Sequence, residues 1–204
     1  MKGLLIKDLY TLAKQLKIFI LMIVVFSCIP QFSFSGFAVI YSAMLPISAL
    51  AYDERSKWSY LAAMMPYSSK DVVICKYLLG YIMLFAAALL SAAAQICFSM
   101  FGKAPVSAET FIQLLLIVCI AVIFQAVNLP FMFKMGVEKG RLVFFALIAI
   151  LVLGGTAFGS MLIGWLSSIR IDMLPLSIGV LFLTFLVNAI SIAVSINIYK
   201  KMGL

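Results

Sequence analysis

The sequence predicts an all-α, polytopic membrane protein with six transmembrane helices. Its composition excludes a water-soluble globule: 66% of the residues are hydrophobic, the mean hydropathy is +1.22, and only 11% are charged, against about 25% in ordinary soluble domains. The charge-free runs approach the ~20 residues that a helix needs to cross ~30 Å of hydrocarbon, which favours helices over the shorter alternating strands of a barrel. We therefore expect a single transmembrane domain over residues 1–204.

The positions of the basic residues predict the topology. All but two of the 15 lysines and arginines fall into four clusters: Lys2, Lys7, Lys14 and Lys17; Arg55, Lys57, Lys70 and Lys76; Lys134, Lys139 and Arg141; and Lys200 with Lys201. Lys and Arg accumulate on the cytoplasmic side of membrane proteins. Placing the four clusters there puts both termini in the cytoplasm and makes the number of crossings even.

The N-terminal residues 1–17 have the pattern of an amphipathic helix lying in the cytoplasmic interface. Leucines recur at three and four residues, and polar residues such as Lys7 and Asp8 lie on the other faces. A removed signal peptide is the alternative. The long basic region and the continuation into further spans disfavour it.

The next stretch, Ile18 to Ala51, carries no charge over 34 residues. Because its two flanks belong on the same side, we expect it to cross the membrane twice, with a tight outside turn near residues 30–36. One long tilted span is the competing interpretation, and it would break the charge asymmetry.

Four further spans complete the prediction. Ser68-Ser69-Lys70-Asp71 resembles a capping box, and the helix that it opens continues to Phe101, longer than a membrane requires. We expect this third span to project into the cytoplasm as a stem. The fourth, fifth and sixth spans are predicted at Phe111–Phe133, Leu142–Ser168 and Leu174–Tyr199.

Several residues inside these spans suit helix packing or a transport pathway. Gly155 and Gly159 form a GxxxG step that allows two helices to approach closely. The candidate amides are Gln95, Gln125, Asn128, Asn188 and Asn197. They either hydrogen-bond between helices or line a pathway, and the first role is the commoner one for such residues.

The residue inventory excludes several kinds of chemistry. There is no histidine, so serine–histidine and cysteine–histidine pairs are absent, and the four cysteines lack the paired spacing of a metal site. No charged residue falls within a predicted span, which argues against proton coupling. The chain also lacks the G-x-x-x-x-G-K-[ST] loop of P-loop ATPases. We predict no catalytic residue and no bound metal.

The charged loop over residues 53–71 is the longest interruption of the apolar sequence. Within it, Trp58, Leu61 and Met65 recur at three and four residues before Pro66 ends the turn. A short helix of this kind presents an aromatic anchor and flexible methionines to a partner's groove. Alternatively, the charges only fix the topology and the apolar residues lie on the lipid surface.

The order of these motifs resembles the permease subunit of ABC-2 type ABC transporters. The matching residues are Lys7-Asp8-Leu9-Tyr10-Thr11-Leu12 before the first span, then Glu54-Arg55, Trp58-Ser59-Tyr60-Leu61 and Met65-Pro66-Tyr67-Ser68 after the second. Ser56-Lys57-Trp58 stands where many members of the family have a Gly-Thr pair after the Glu-Arg. The motifs cover roughly the first half of the chain, and the rest matches by its six-span topology alone.

The resemblance implies a multi-pass subunit of an exporter in the bacterial plasma membrane. Such a permease pairs with a second permease subunit, like or unlike itself, and with a cytoplasmic P-loop ATPase that carries the ATP and Mg. The chain itself would then be no enzyme and hold no cofactor, and no nucleic acid partner is expected. The implied coupling element consists of Glu54, Arg55, Trp58, Leu61, Met65 and Pro66.

The substrate and the energy source leave alternatives open. Because the spans lack charge, a pathway through them suits an amphipathic or hydrophobic cargo such as a peptide antibiotic, a drug or a lipid. A passive channel or secondary carrier is one alternative function. A membrane assembly or immunity factor without transport is another.

Overall fold

The computed structural model describes residues 2–27, 34–65, 67–100, 108–143 and 173–201, together with positions 145, 146, 149 and 153. These residues contain helices and no strand, so the all-α class is confirmed. The helices are α1 (Lys2–Ser27), α2 (Phe34–Ser42), α3 (Leu45–Arg55), α4 (Trp58–Met64), α5 (Ser69–Met100), α6 (Ala108–Met135), α7, described over 137–143, and α8 (Met173–Lys201).

Three of the described helices contain stretches long and apolar enough to cross a membrane. They are Ser69–Cys97, Phe111–Met135 and Gly179–Lys201, which correspond to the predicted third, fourth and sixth spans. Most of the turn expected near residues 30–36 and most of the fifth span lie outside the described residues. The total of six spans therefore stays a prediction.

The N-terminal segment differs from its predicted form. Residues 2–17 are the first part of α1, which continues without a break to Ser27. Its leucines pack on protein: Leu12 is buried with Leu45 of α3 and Leu79 of α5, and Leu4 is buried against α5. The prediction that the polar side of this helix faces water is also wrong at Asp8, which is buried. The spacing of leucines predicts an apolar face correctly but cannot tell a lipid surface from a helix surface.

A break at Ala43 and Met44 divides the second apolar arm into α2 and α3. Pro46 explains it: a proline has no N–H to donate to the carbonyl four residues earlier, and its ring clashes with that turn. The proline therefore occupies the first turn of a new helix, α3, where its missing N–H costs little.

The long helix α5 lies at the centre of the bundle and contacts α1, α2, α3, α6 and α8. Its start confirms the predicted capping box. The Ser68 N–H donates to Asp71 Oδ2 at 3.3 Å, and the Lys70 N–H donates to Ser68 Oγ at 3.4 Å. With 32 residues, α5 is also as long as the sequence predicts.

A proline inside α6 creates a polar link to α8. Pro130 has no N–H for the carbonyl of Ala126 one turn earlier, and the Ser191 hydroxyl of α8 donates to that carbonyl instead. The Tyr77 hydroxyl of α5 lies 2.6 Å from Ser191 Oγ and 2.8 Å from Ser195 Oγ. A backbone group left free within an apolar bundle needs such a partner, and here it joins α5, α6 and α8.

Candidate functional site

Four charged side chains meet where α1, α3 and α5 come together, and we call them the ionic cluster: Lys7, Asp8, Asp53 and Lys76. Lys76 Nζ lies 2.7 Å from Asp8 Oδ2 and 2.6 Å from Asp53 Oδ2. Lys7 Nζ lies 2.5 Å from Asp53 Oδ1 and 3.0 Å from Asp8 Oδ1. The last contact is an ion pair without hydrogen-bond geometry, so Asp8 Oδ1 is held by charge alone.

The ionic cluster is formally neutral and is buried at Lys76 and Asp8, whereas the Lys7 side chain is 25% exposed. The side chains of Lys76 and Asp8 are only 3% and 2% exposed, and that of Asp53 is 16% exposed. Two lysines balance two aspartates, which is the condition under which charges are tolerated away from water. The ionic cluster therefore fixes the end of α3 against α1 and α5 and prevents the three helices from sliding past one another.

Trp58, the first residue of α4, is part of the same assembly. Lys7 Nζ lies over its ring, 4.2 Å from the centroid, in a cation–π contact. The indole packs against a buried group formed by Leu4 of α1 with Val72 and Cys75 of α5. The structure thus places Trp58 as an inward anchor that holds α4 on the bundle.

Glu54 joins the end of α3 to the start of α7. Its Oε2 accepts the Val137 backbone N–H at 2.8 Å, at a helix end whose free N–H groups favour a carboxylate. Gly136, just before, has a φ of +78°, and a Cβ there would lie 2.9 Å from Glu54 Oε1. Both the positive φ and the close approach of the Glu54 carboxylate favour glycine at this position. Asp53 therefore ties the end of α3 to α1 and α5, and Glu54 ties it to α7. We call this junction between α3 and α4 the α3–α4 corner.

The other face of α4 is exposed and apolar. Tyr60 is 67% exposed and Met64 is 84% exposed, and Leu61 and Met65 are exposed beside them. Of the sequence-predicted coupling residues, Leu61 and Met65 thus lie on the free face, Trp58 on the bound face, and Glu54 at the α7 contact. Arg55 ends α3 at the surface, and Pro66 lies outside the described residues.

The amides predicted in the spans mostly bind neighbouring groups. Asn188 Oδ1 accepts the Tyr81 hydroxyl at 2.5 Å, and Gln125 Nε2 donates to the Tyr77 carbonyl at 3.5 Å, joining α5 to α8 and α6. Asn128 donates to the Phe124 carbonyl of its own helix. Gln95 keeps a buried side-chain oxygen without a hydrogen bond. Gly155 and Gly159 lie outside the described residues.

Sequence reasoning missed the ionic cluster, although one signal was present. Lys76 follows the apolar run Val72-Val73-Ile74-Cys75 and precedes Tyr77-Leu78-Leu79. A single cation in an otherwise apolar helix stretch needs an acid partner. The aspartates that pair with it lie 68 and 23 residues away in the sequence, and only the tertiary structure identifies them.

The fold and the site together define a helical membrane protein in which a short exposed helix is anchored on the end of a bundle by buried charges. The chain belongs to the ABC-2 family of transporters: the family model described as an ABC-2 family transporter protein matches residues 3–200. This match confirms the resemblance and assigns the chain to transmembrane transport as a permease component. Comparisons with curated proteins and with solved structures find no match.

Proposed function

We propose that this chain is the transmembrane permease subunit of an ATP-driven exporter and that a separate ATPase subunit binds it at α4. The observation that carries the proposal is the exposed apolar face of α4. Tyr60, Leu61, Met64 and Met65 form that face on a helix whose opposite side is held by the ionic cluster. A free apolar face on a firmly anchored short helix suits a partner's groove.

The contacts of α4 supply a mechanical route into the membrane. A displacement of α4 moves Trp58, and with it Lys7 of α1 and the side chains of α5 that pack on the indole. It also moves the end of α3, which is tied to Lys76 of α5 through Asp53 and to α7 through Glu54. Because these contacts are packed or ionic, the corner shifts as a unit and passes the motion to several helices.

The energy for this motion comes from the partner in this proposal. The sequence has no P-loop, so ATP and Mg bind to the cytoplasmic ATPase, and a second permease subunit completes the transporter. The basic clusters favour a cytoplasmic position for both termini and for α4, and the proposed location is the bacterial plasma membrane. The expectation of spans without charge is wrong at Lys76, which lies in the α5 span and is neutralised by Asp8 and Asp53. The apolar faces of the spans suit an amphipathic or hydrophobic cargo such as a peptide antibiotic, a drug or a lipid.

Co-purification from the native host tests this assignment. The tagged chain is extracted in mild detergent, and a bound P-loop ATPase is identified by mass spectrometry. We expect the ATPase to accompany the wild type and to be lost from the Tyr60→Ser, Met64→Ser double variant. The matched control is Ile6→Ser with Tyr10→Ser, an exposed aliphatic residue and an exposed tyrosine likewise four positions apart on α1. The control keeps the ATPase.

Two results contradict the proposal. Equal retention of the ATPase by the wild type and the α4 variant removes α4 as the docking site. Substrate transport by the purified chain alone, without nucleotide, favours a passive channel or carrier instead. Trp58→Ala is a useful third variant because its indole faces the bundle. We expect it to lower the melting temperature as well as ATPase binding, whereas the Tyr60, Met64 variant lowers binding only.

A further inference from the structure

Three cavities lie between α3 and the start of α7, and no residue of the ionic cluster lines them. Arg141 of α7 lines all three, with volumes of about 110, 300 and 280 Å³. Arg55 lines the first and the third. The three cavities thus share the Arg141 side chain, and two of them also share Arg55. The largest of the three reaches the lower limit of about 300 Å³ that is common for ligand sites.

The largest of the three cavities is mainly apolar, and its lining residues with polar side-chain groups are Arg141, Ser48 and Tyr41. Its other lining residues are Met44, Leu45, Ile47, Met132 and Phe145. Such a lining suits a hydrocarbon chain, and the guanidinium at its edge suits an anionic group attached to that chain. The cavity therefore has the two parts that an amphiphile requires.

The arginines have no carboxylate partner in the described part of the chain. The four ion pairs found there belong to the ionic cluster. Glu54 and Glu138 line only the 280 Å³ cavity, and Glu54 already accepts the Val137 N–H. In the 110 and 300 Å³ cavities, Arg55 and Arg141 are the only charged lining residues. Their positive charge is thus available to a ligand.

The spacing along α3 matches a lipid. Leu45, in the apolar cavity, precedes Arg55 by ten residues of one helix, which is about 15 Å along the axis. This distance is about half of the ~30 Å hydrocarbon thickness, the depth of one leaflet. A lipid whose head lies at Arg55 and Arg141 can therefore extend its acyl chain along α3 toward Leu45 and Met44.

We propose that this cleft binds one membrane lipid of the adjacent leaflet through an anionic phosphate headgroup, held by Arg55 and Arg141, with an acyl chain in the apolar cavity. Guanidinium groups bind phosphate oxygens in pairs of charge-assisted hydrogen bonds. The inference needs only a membrane-embedded chain. It holds whether or not α4 binds an ATPase, so the two proposals fail separately.

Lipid binding to the purified chain tests the inference. The protein is placed in detergent with phosphatidylglycerol or with phosphatidylcholine of the same acyl chains, and bound lipid is counted by native mass spectrometry. We expect about tenfold tighter binding of the anionic lipid to the wild type, and no preference in the Arg55→Gln, Arg141→Gln double variant. The matched control, Lys134→Gln with Lys139→Gln, removes the same charge from exposed residues that line none of the cavities. It keeps the preference.

Two further experiments test whether the site requires the whole lipid or only its phosphate group. Inorganic phosphate at millimolar concentration should not displace phosphatidylglycerol, because it lacks the acyl chain. Ser48→Phe, which fills the apolar cavity without changing charge, should remove the preference while leaving the chain folded by its melting temperature. Displacement by phosphate overturns the lipid assignment in favour of a free anion. The proposed site is wrong if the wild type binds both lipids equally. It is also wrong if the lysine control loses the preference for the anionic lipid as completely as the arginine variant does.

Discussion

Replacement of Lys76 by methionine should destabilise the bundle more than any single surface change. Lys76 is the one cation of the ionic cluster that is almost fully buried, and it contacts both aspartates at 2.6–2.7 Å. Lys76→Met leaves Asp8 and Asp53 to share Lys7 and changes the formal charge of the cluster from zero to −1. Because the Asp8 side chain is only 2% exposed, water cannot replace the lost ammonium. Breaking a buried pair in this way costs about 3–5 kcal/mol.

A double-variant cycle measures this effect. The free energy of unfolding is determined in mild detergent for the wild type, Lys76→Met, Asp8→Leu and the double variant. The double variant leaves Lys7 with Asp53, a neutral pair, and should regain most of the loss, because apolar replacements of buried ion pairs are often neutral. Lys57→Met, at an exposed cation, is the control and should change the free energy by less than about 0.5 kcal/mol.

The reasoning fails if Lys76→Met costs under about 1 kcal/mol, the value typical of an exposed ion pair. It also fails if the two single losses simply add in the double variant, since groups in one network must couple.

Three further substitutions probe other contacts. Gly136→Ala forces a Cβ into a left-handed turn and against a carboxylate of α3, so we expect a loss of about 1–2 kcal/mol in the free energy of unfolding; Gly179→Ala, with open space around its Cβ, should show none. Gly80→Ala places a Cβ against the Gln125 side chain and should lower the melting temperature in detergent, and restored stability in the Gly80→Ala, Gln125→Ala pair would confirm the contact. Tyr77→Phe removes a hydroxyl shared by two serines of α8 and should cost about 0.6–2 kcal/mol, the range for hydrogen bonds between membrane helices, so an unchanged unfolding free energy would refute that link.

The sequence predicts helix positions well where the physical signal is local. Apolar run length identified the spans at α5, α6 and α8, and the Ser68–Asp71 pattern, with Ser68 or Ser69 at the cap, located the start of α5 within one residue. The short helix before Pro66 was also expected from the spacing of its apolar residues, and α4 confirms it at Trp58–Met64. These signals depend on neighbours along the chain.

The candidate site was predicted less completely because its partners are distant in sequence. Periodicity placed Trp58 and Leu61 on one surface, but the Lys7 ammonium and the buried group around Leu4 hold the indole inward. In the same way, a polar face on α1 predicts contact with water. Asp8 instead meets a cation of α5, and no local pattern distinguishes these two outcomes.

The separation of Asp8 from Lys76 along the chain has a consequence for biosynthesis. A ribosome adding about 5–20 residues per second takes about 3–14 s to traverse the 68 positions between them. Until then the Asp8 carboxylate can pair only with Lys7 of its own helix. The contact that fixes α1 to α5 therefore forms only after Lys76 has been added to the chain.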